Sequence, residues 1–378
     1  MDVKNFLSIM LICLISISSI TNQAEELSTE AALIKAHGLY QSSIDAKDFV
    51  TAELYAKQSY NLSKNLNGDD HIYTAVLAYN YAKLHRTNQL SQRRPNLQKA
   101  IPLLEQAVRV YEMKYGVTGL ELIKPLMELG SVYSRLRKKN SLKISLEYYQ
   151  RALKIVEAND DSYQLTYAGI LLEIGKIYSK SRKNLPKARK SIQKTYDIYH
   201  QKLPVKSNRR MRSAFWLAKV HYQMGKNSKA EPLFLEVLDI YEDVELSSTS
   251  QMVQTINAFL VKLYEKMGER DKATAFCQAI GRAKPWDYDK DLIPLFIQKP
   301  LWPKVALQRG KEATIRVGFI VDAEGFVKDP KVLDLKGHKS FQKPALKAIN
   351  QWRFAPRFVD GQPVESKTAY TMEFKLNK

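Results

Sequence analysis

Hydrophobic and polar positions follow two different periods along this chain. Residues 25–284 carry a helical pattern over most of their length. Residues 313–321 alternate instead: Ala313, Ile315, Val317, Phe319 and Val321 fall on one face, and Thr314, Arg316 and Gly318 on the other. Period two marks a strand with one buried side. Glu324-Gly325 is a turn signal, so Phe326 to Leu335 is expected to return as the partner strand, with a bulge or break at Pro330. From Lys339 the step changes: Phe341, Ala345, Leu346, Ala348, Ile349 and Trp352 form one apolar helix face, and Pro344 lies near the helix start, where a missing N–H costs little. Asp360-Gly361 is a second tight turn, and Ala369 to Leu376 alternate again, with Tyr370, Met372, Phe374 and Leu376 on one face. The pattern predicts a small α+β domain, ββαβ, over residues 300–378.

The helical part repeats. Leu129-Gly130-Ser131-Val132-Tyr133, Ile174-Gly175-Lys176-Ile177-Tyr178, Ala218-Lys219-Val220-His221-Tyr222 and Leu260-Val261-Lys262-Leu263-Tyr264 place tyrosines 45, 44 and 42 residues apart. A basic or Gly/Asn turn and a second helix follow each one. Second helices share an early small residue (Ala52, Ala100, Ala188, Ala230, Ala273) and a late tyrosine (Tyr111, Tyr199, Tyr241). Small residues allow close helix approach, and the aromatics fill the gap to the next pair. This resembles tetratricopeptide repeats (TPR) of a long variety, with about six helix pairs over 25–284. The expected fold is therefore multidomain: an all-α, TPR-like superhelical solenoid, a linker at 285–299, and the α+β domain. Thr87 to Pro95 reads as a polar loop insertion. Stacked pairs present a concave face suited to peptides or proteins.

Residues Phe6 to Ile20 are apolar apart from serines, short for a membrane span and suited to a secretory signal. Residues 1–24 are read as a signal peptide, with an uncleaved inner-membrane anchor as the alternative. Cys13 lies inside that run, leaving Cys277 as a small core hydrophobe without an internal disulfide partner. Lys and Arg outnumber Asp and Glu 59 to 39, a net charge of +20, concentrated at Arg135–Lys143, Lys180–Lys194 and Lys202–Arg212. So basic a chain invites nucleic acid, but the export signal argues against it and favours acidic proteins or anionic headgroups. The six histidines (His37, His71, His85, His200, His221, His338) lack metal-ligand spacing, and no nucleophile or phosphate-loop motif is present. No enzyme activity, cofactor or metal is expected.

The tail carries a specific set of motifs. Pro300-Leu301-Trp302-Pro303 is a Pro-aromatic-Pro lead-in. Val321 to Gly325 gives Val-Asp-x-x-Gly, and a Phe-x-x-x-Ala-x-x-Ala helix from Phe341 ends in Trp352-Arg353-Phe354-Ala355-Pro356. Asp360-Gly361-Gln362-Pro363-Val364 and Phe374 to Leu376 complete the set. Residues 297–378 thereby resemble the C-terminal domain of the TonB family of energy transducers, with Trp302 where that family usually has tyrosine. Pro300, Trp302, Pro303, Gly325, Trp352, Phe354, Pro356, Gly361 and Pro363 are the family-motif positions.

The resemblance implies capture of an extended peptide, such as one from an outer-membrane receptor, by strand addition to a sheet edge. The candidate edge is the last strand, with Lys367, Ala369, Thr371, Glu373 and Lys375. Trp302 and Arg316 are further candidate contacts, for which core packing and a solvated strand face are the competing readings. Transducers of this family carry an anchor helix with a Ser-x-x-x-His pattern, whereas the first histidine here is His37.

The leading expectation is a periplasmic protein binding envelope partners through both modules, with TonB-dependent receptors as candidate partners. The alternatives are an inner-membrane-anchored transducer for transport across the outer membrane, and a scaffold whose C-terminal domain caps the array or forms a homodimer.

Overall fold

A computed structural model of the chain describes residues 28–86, 96–136, 138–159, 161–243, 250–283, 292 and 294–376. The segment read as a signal peptide, Cys13 and the Thr87–Pro95 insertion lie outside the described residues. No helix among the described residues is long and apolar enough to cross a membrane. The chain divides into two compact units, residues 1–198 and 199–378.

The first unit is helical. It contains α1 (28–45), α2 (Phe49–Asn67), α3 (Ile72–Arg86), α4 (Leu97–Tyr115), α5 (Ile123–Arg135), α6 (Ser141–Glu157), α7 (Gln164–Tyr178) and most of α8 (Leu185–Lys202). Side-chain caps start two of these: Asp48 accepts from the Thr51 amide (3.1 Å) and Asn96 from the Lys99 amide (3.3 Å). The small residues expected at the starts of second helices, Ala52, Ala100 and Ala188, are fully buried. Large residues close the remaining space. Gly130 on α5 lies against the Tyr149 ring of α6, where a Cβ would come within 2.8 Å. Short hydroxyl bonds tie neighbouring helices at the backbone: Ser145 Oγ of α6 donates to the Gly130 carbonyl of α5 (2.6 Å), and Thr195 Oγ1 of α8 to the Ala168 carbonyl of α7 (2.9 Å).

The second unit holds α9 (Asn208–Gln223), α10 (Asn227–Asp243), α11 (Gln251–Met267) and α12 (Arg270–Ala283), followed by a sheet-containing domain. Its strands are β1 (Pro294–Phe296), β2 (Ala313–Val321), β3 (Val327–Gly337), β4 (Arg353–Phe354), β5 (Arg357–Val359), β6 (Gln362–Val364) and β7 (Ser366–Phe374), with helices α13 (Lys304–Gln308) and α14 (Gln342–Ile349). The main sheet is antiparallel with order β3-β2-β7. β2 buries every second residue from Ala313 to Val321, as its alternation predicts. Phe341, Ala345, Ile349, Trp352, Phe354, Met372 and Phe374 cover that face. The ββαβ core is present, with α13 and two small antiparallel pairs added. β1 lies within the span read as linker and pairs with β4, and β5 and β6 form a hairpin. Asp360 and Gly361 make the hairpin turn, both at positive φ (48° and 77°).

The small-against-large packing predicts that Gly130→Ala lowers stability by about 1–3 kcal/mol through overpacking against Tyr149. Urea unfolding of the full chain measures it, and the Gly130→Ala/Tyr149→Leu double variant should recover part of the loss.

Candidate functional site

The C-terminal sheet has two borders of different quality. β7 pairs with β2 over nine consecutive positions, from Ala313↔Phe374 to Val321↔Ser366, without a register shift. No described strand lies along its other border. β3, on the opposite side of β2, is interrupted twice. The register slips between Arg316/Val317 and between Gly318/Ile320, opposite Leu333 and the Asp329-Pro330 pair. Asp329 has a positive φ of 49°, and Leu333 is 61% exposed. Bulges, proline and lysines are devices that blunt a sheet edge against further pairing, and β3 has all three. The smooth border is β7, which carries Lys367, Ala369, Thr371 and Glu373, whereas Lys375, expected on the same strand, lies just past its end at Phe374; all except the half-buried Ala369 are exposed.

The motif residues build the platform beneath β7. Trp302 stands edge-on to Phe341 and Phe374, with ring centroids 5.8 and 5.7 Å away, so its ring packs at the margin of the core. Trp352 packs edge-on to Tyr370 of β7 (4.8 Å) and donates from Nε1 to the Gln298 carbonyl (2.9 Å), holding the lead-in segment to the helix end. The Asp-x-x-Gly turn closes on itself: Asp322 Oδ1 accepts from the amides of Glu324 (3.0 Å) and Phe326 (2.9 Å). Gly325 sits at φ +88°, and a Cβ there would lie 2.2 Å from the Phe354 carbonyl oxygen. Phe358 is buried beside Pro356, and Pro363 lies on β6 opposite Phe358. Arg316 is exposed on the solvent face of β2, opposite Asp334 and Thr371.

The residue that sequence reasoning passed over is Arg353. It was legible only as the middle of Trp-Arg-Phe, yet its side chain is completely buried. The guanidinium donates from Nη1 to Glu265 Oε1 (2.7 Å) and to the Arg270 carbonyl (3.2 Å), and from Nη2 to Thr274 Oγ1 (2.9 Å) and the Glu324 carbonyl (2.9 Å). It also lies 3.7 Å from the centroid of the Phe326 ring. Glu265, on α11, has only 3% of its side chain exposed and meets Arg270 Nε at 3.2 Å. Around this pair, Val261, Cys277, Ile280, Leu295 and Ala355 form one apolar cluster, and Gly281 of α12 approaches Pro356 so closely that a Cβ would lie 2.3 Å from its carbonyl oxygen. The last helix pair and the sheet domain therefore share a core. Burial pushes the Cys277 thiol up to about 12. No signal in the sequence marked Glu265 as the partner, because the two residues are 88 positions apart.

No group of His, Cys, Asp and Glu among the described residues is arranged to hold a metal ion. The site offers backbone pairing and packing surface.

Comparison with known proteins agrees with this architecture. The family described as Gram-negative bacterial TonB protein C-terminal matches residues 298–376, and a tetratricopeptide-repeat family matches 217–245. The Protein TonB of Vibrio cholerae is 33% identical over 103 residues, 27% of this chain and 42% of that protein. The Protein TonB of Pseudomonas aeruginosa is 31% identical over 90 residues, 24% of this chain and 26% of that protein. The chain thus spans less than half the length of these curated relatives. Among solved structures, the P. aeruginosa TonB C-terminal domain aligns at 31% identity over 24% of this chain and 92% of its own, with a TM-score of 0.22. A Podosopora anserina putative kinesin light chain with TPR-like repeats aligns at 17% identity over 57% of this chain and 97% of its own, with a TM-score of 0.46. The chain carries TPR-like helical repeats followed by a TonB C-terminal domain.

A buried ion pair is costly to break from one side. Arg353→Met and Glu265→Met are each expected to destabilise the full chain by about 3–5 kcal/mol, and the double variant by much less; urea unfolding measures the cycle. Native Cys277 should resist a maleimide at mildly alkaline pH and become reactive in Arg353→Met, as read by peptide mass spectrometry.

Proposed function

We propose that this is a periplasmic, non-catalytic binding protein whose C-terminal domain captures an extended peptide by adding it as a strand along β7, while the helical repeats hold a protein partner. The observation that carries this reading is the contrast between the two sheet borders: nine regular pairs behind β7, and a broken register along β3. A guest strand gains its affinity from main-chain hydrogen bonds and needs a straight, unpaired row of N–H and C=O groups. Only β7, among the described strands of the main sheet, has both an unbroken register and a border without a strand partner.

The match of residues 298–376 to TonB C-terminal domains favours an N-terminal segment of an outer-membrane receptor as the guest. The repeats supply the second contact. TPR-type arrays take peptides or proteins on their inner face, and the basic excess favours an acidic partner.

The test places a photo-crosslinking amino acid at Thr371 in the full chain, and at Lys331 on β3 as the control, and exposes each to Gram-negative envelope extract. Crosslinking of an outer-membrane receptor segment from position 371 but not from 331 is the expected result. No adduct at 371, or equal adducts at both positions, overturns the reading. A peptide identified this way should lose about tenfold or more in affinity when alternate backbone amides are N-methylated, because strand addition depends on those donors.

A further inference from the structure

A groove in the C-terminal domain is lined by the lead-in segment and α14, and by no residue of β7. Leu301, Pro344 and Ala348 supply its aliphatic lining. Lys299 from the segment before β2 and Lys343 and Lys347 from α14 supply its charged lining, around a volume of about 420 Å³. Leu301 is 75% exposed, more than any other large aliphatic among the described residues, and Ile297 (46%) and Val305 (58%) flank it on the same segment. Only Leu301 of these lines the groove, and an aliphatic side chain so exposed on a groove favours an interaction site over an ordinary solvated surface.

The charge pattern identifies what would cover it. Lys343 and Lys347 stand one helical turn apart, where like charges repel. No carboxylate lines the groove, and no described acidic residue pairs with any of the three lysines. The lysines come from two separate segments and share the lining with aliphatic side chains, a mix that suits an acidic segment with an apolar residue in it. The volume lies in the range of small-ligand pockets, about 300–1,000 Å³, enough for a few side chains of an extended segment.

We propose that this groove docks an acidic peptide segment of a protein partner. An aliphatic side chain of that segment sits on Leu301, Pro344 and Ala348, and its carboxylates face Lys299, Lys343 and Lys347. The contact is separate from strand addition at β7, so either can fail without the other.

The test uses the full chain and three probes: a capped hexapeptide of Glu-Glu-Leu-Leu-Glu-Glu, its lysine counterpart Lys-Lys-Leu-Leu-Lys-Lys, and phosphatidylglycerol vesicles. Binding is read by fluorescence anisotropy for the peptides and by flotation for the vesicles. Saturable binding of the acidic peptide alone among the peptides is expected, weakened about tenfold or more by Lys343→Glu/Lys347→Glu and by Leu301→Asp. A shift from about 50 mM to about 500 mM salt should weaken it as well. Lys331→Glu/Lys336→Glu on β3 should leave it unchanged, since those residues lie outside the groove. The altered positions, Leu301, Lys331, Lys336, Lys343 and Lys347, are all at the surface, so the variants test binding in a folded chain. Absence of saturable binding overturns the proposal. So does an equal loss in the β3 control, which would reduce the effect to general basicity. Vesicle binding that needs Lys343 and Lys347, without peptide binding, would assign the groove to a membrane surface and also overturn it.

Discussion

A guanidinium removed from water must be matched by partners already in place, and the C-terminal half of this protein is organised around one such match. Arg353 projects from β4 into a shell made by two helices and a turn: Glu265 and the Arg270 carbonyl, Thr274 Oγ1, the Glu324 carbonyl and the face of Phe326. Each partner fixes an element. Glu265 sets α11, Thr274 sets α12, and Glu324 and Phe326 set the turn that sends β2 into β3. β4 is in turn held by β1. Desolvation makes this arrangement all-or-none, because loss of one partner leaves the opposite charge buried without compensation. The last helix pair is therefore a structural component of the sheet domain, and the boundary between repeat and domain is a shared core with Cys277 and Ala355 inside it.

On that base the domain presents two different surfaces. The border of β7 offers backbone groups, and side-chain identity matters little to it. The groove between the lead-in segment and α14 offers aliphatic lining and lysine ammonium groups, and side-chain identity decides what fits. Trp352 joins the two physically: its ring packs against Tyr370 of β7, and its indole N–H holds the carbonyl of Gln298, two residues before the lead-in. Trp302 takes the same supporting role from the other end, wedged against Phe341 and Phe374. An aromatic is needed at both places for packing, which explains why the pattern tolerates tryptophan where tyrosine is usual.

Much of the architecture was legible because it follows from periodicity. The strand at Ala313–Val321, the helix at Gln342–Ile349, shorter than the apolar stripe that ran on to Trp352, and the turn at Asp360-Gly361 each come from local spacing that tertiary context does not override. The alanines of the second helices were readable because close helix packing leaves room for little else. Elements held by distant partners were not legible. β1 is three residues long and owes its pairing to β4, some sixty residues later. The last strand begins at Ser366, earlier than its alternation suggests, since Ser366 to Thr368 extend the ladder with β2 without carrying a strong apolar signal. Arg353 illustrates the limit most plainly. An arginine between two aromatics carries no local sign of its partner, and only the fold brings Glu265 to it. The β7 edge was legible as a last strand, whereas its contrast with β3 depends on two bulges, of which Pro330 announced one and nothing announced Leu333.

The broken register of β3 also governs arithmetic. A sheet that could lengthen at both sides would let one molecule bridge two guests, or let copies of the chain polymerise edge to edge. With Asp329-Pro330 and the outward Leu333 spoiling one side, lengthening is confined to the other. Any strand that joins this sheet, whether a guest or a second copy of the chain, then meets a dead end on the far side, so edge-to-edge growth past one added partner is blocked by the same irregularity that makes the third strand look imperfect.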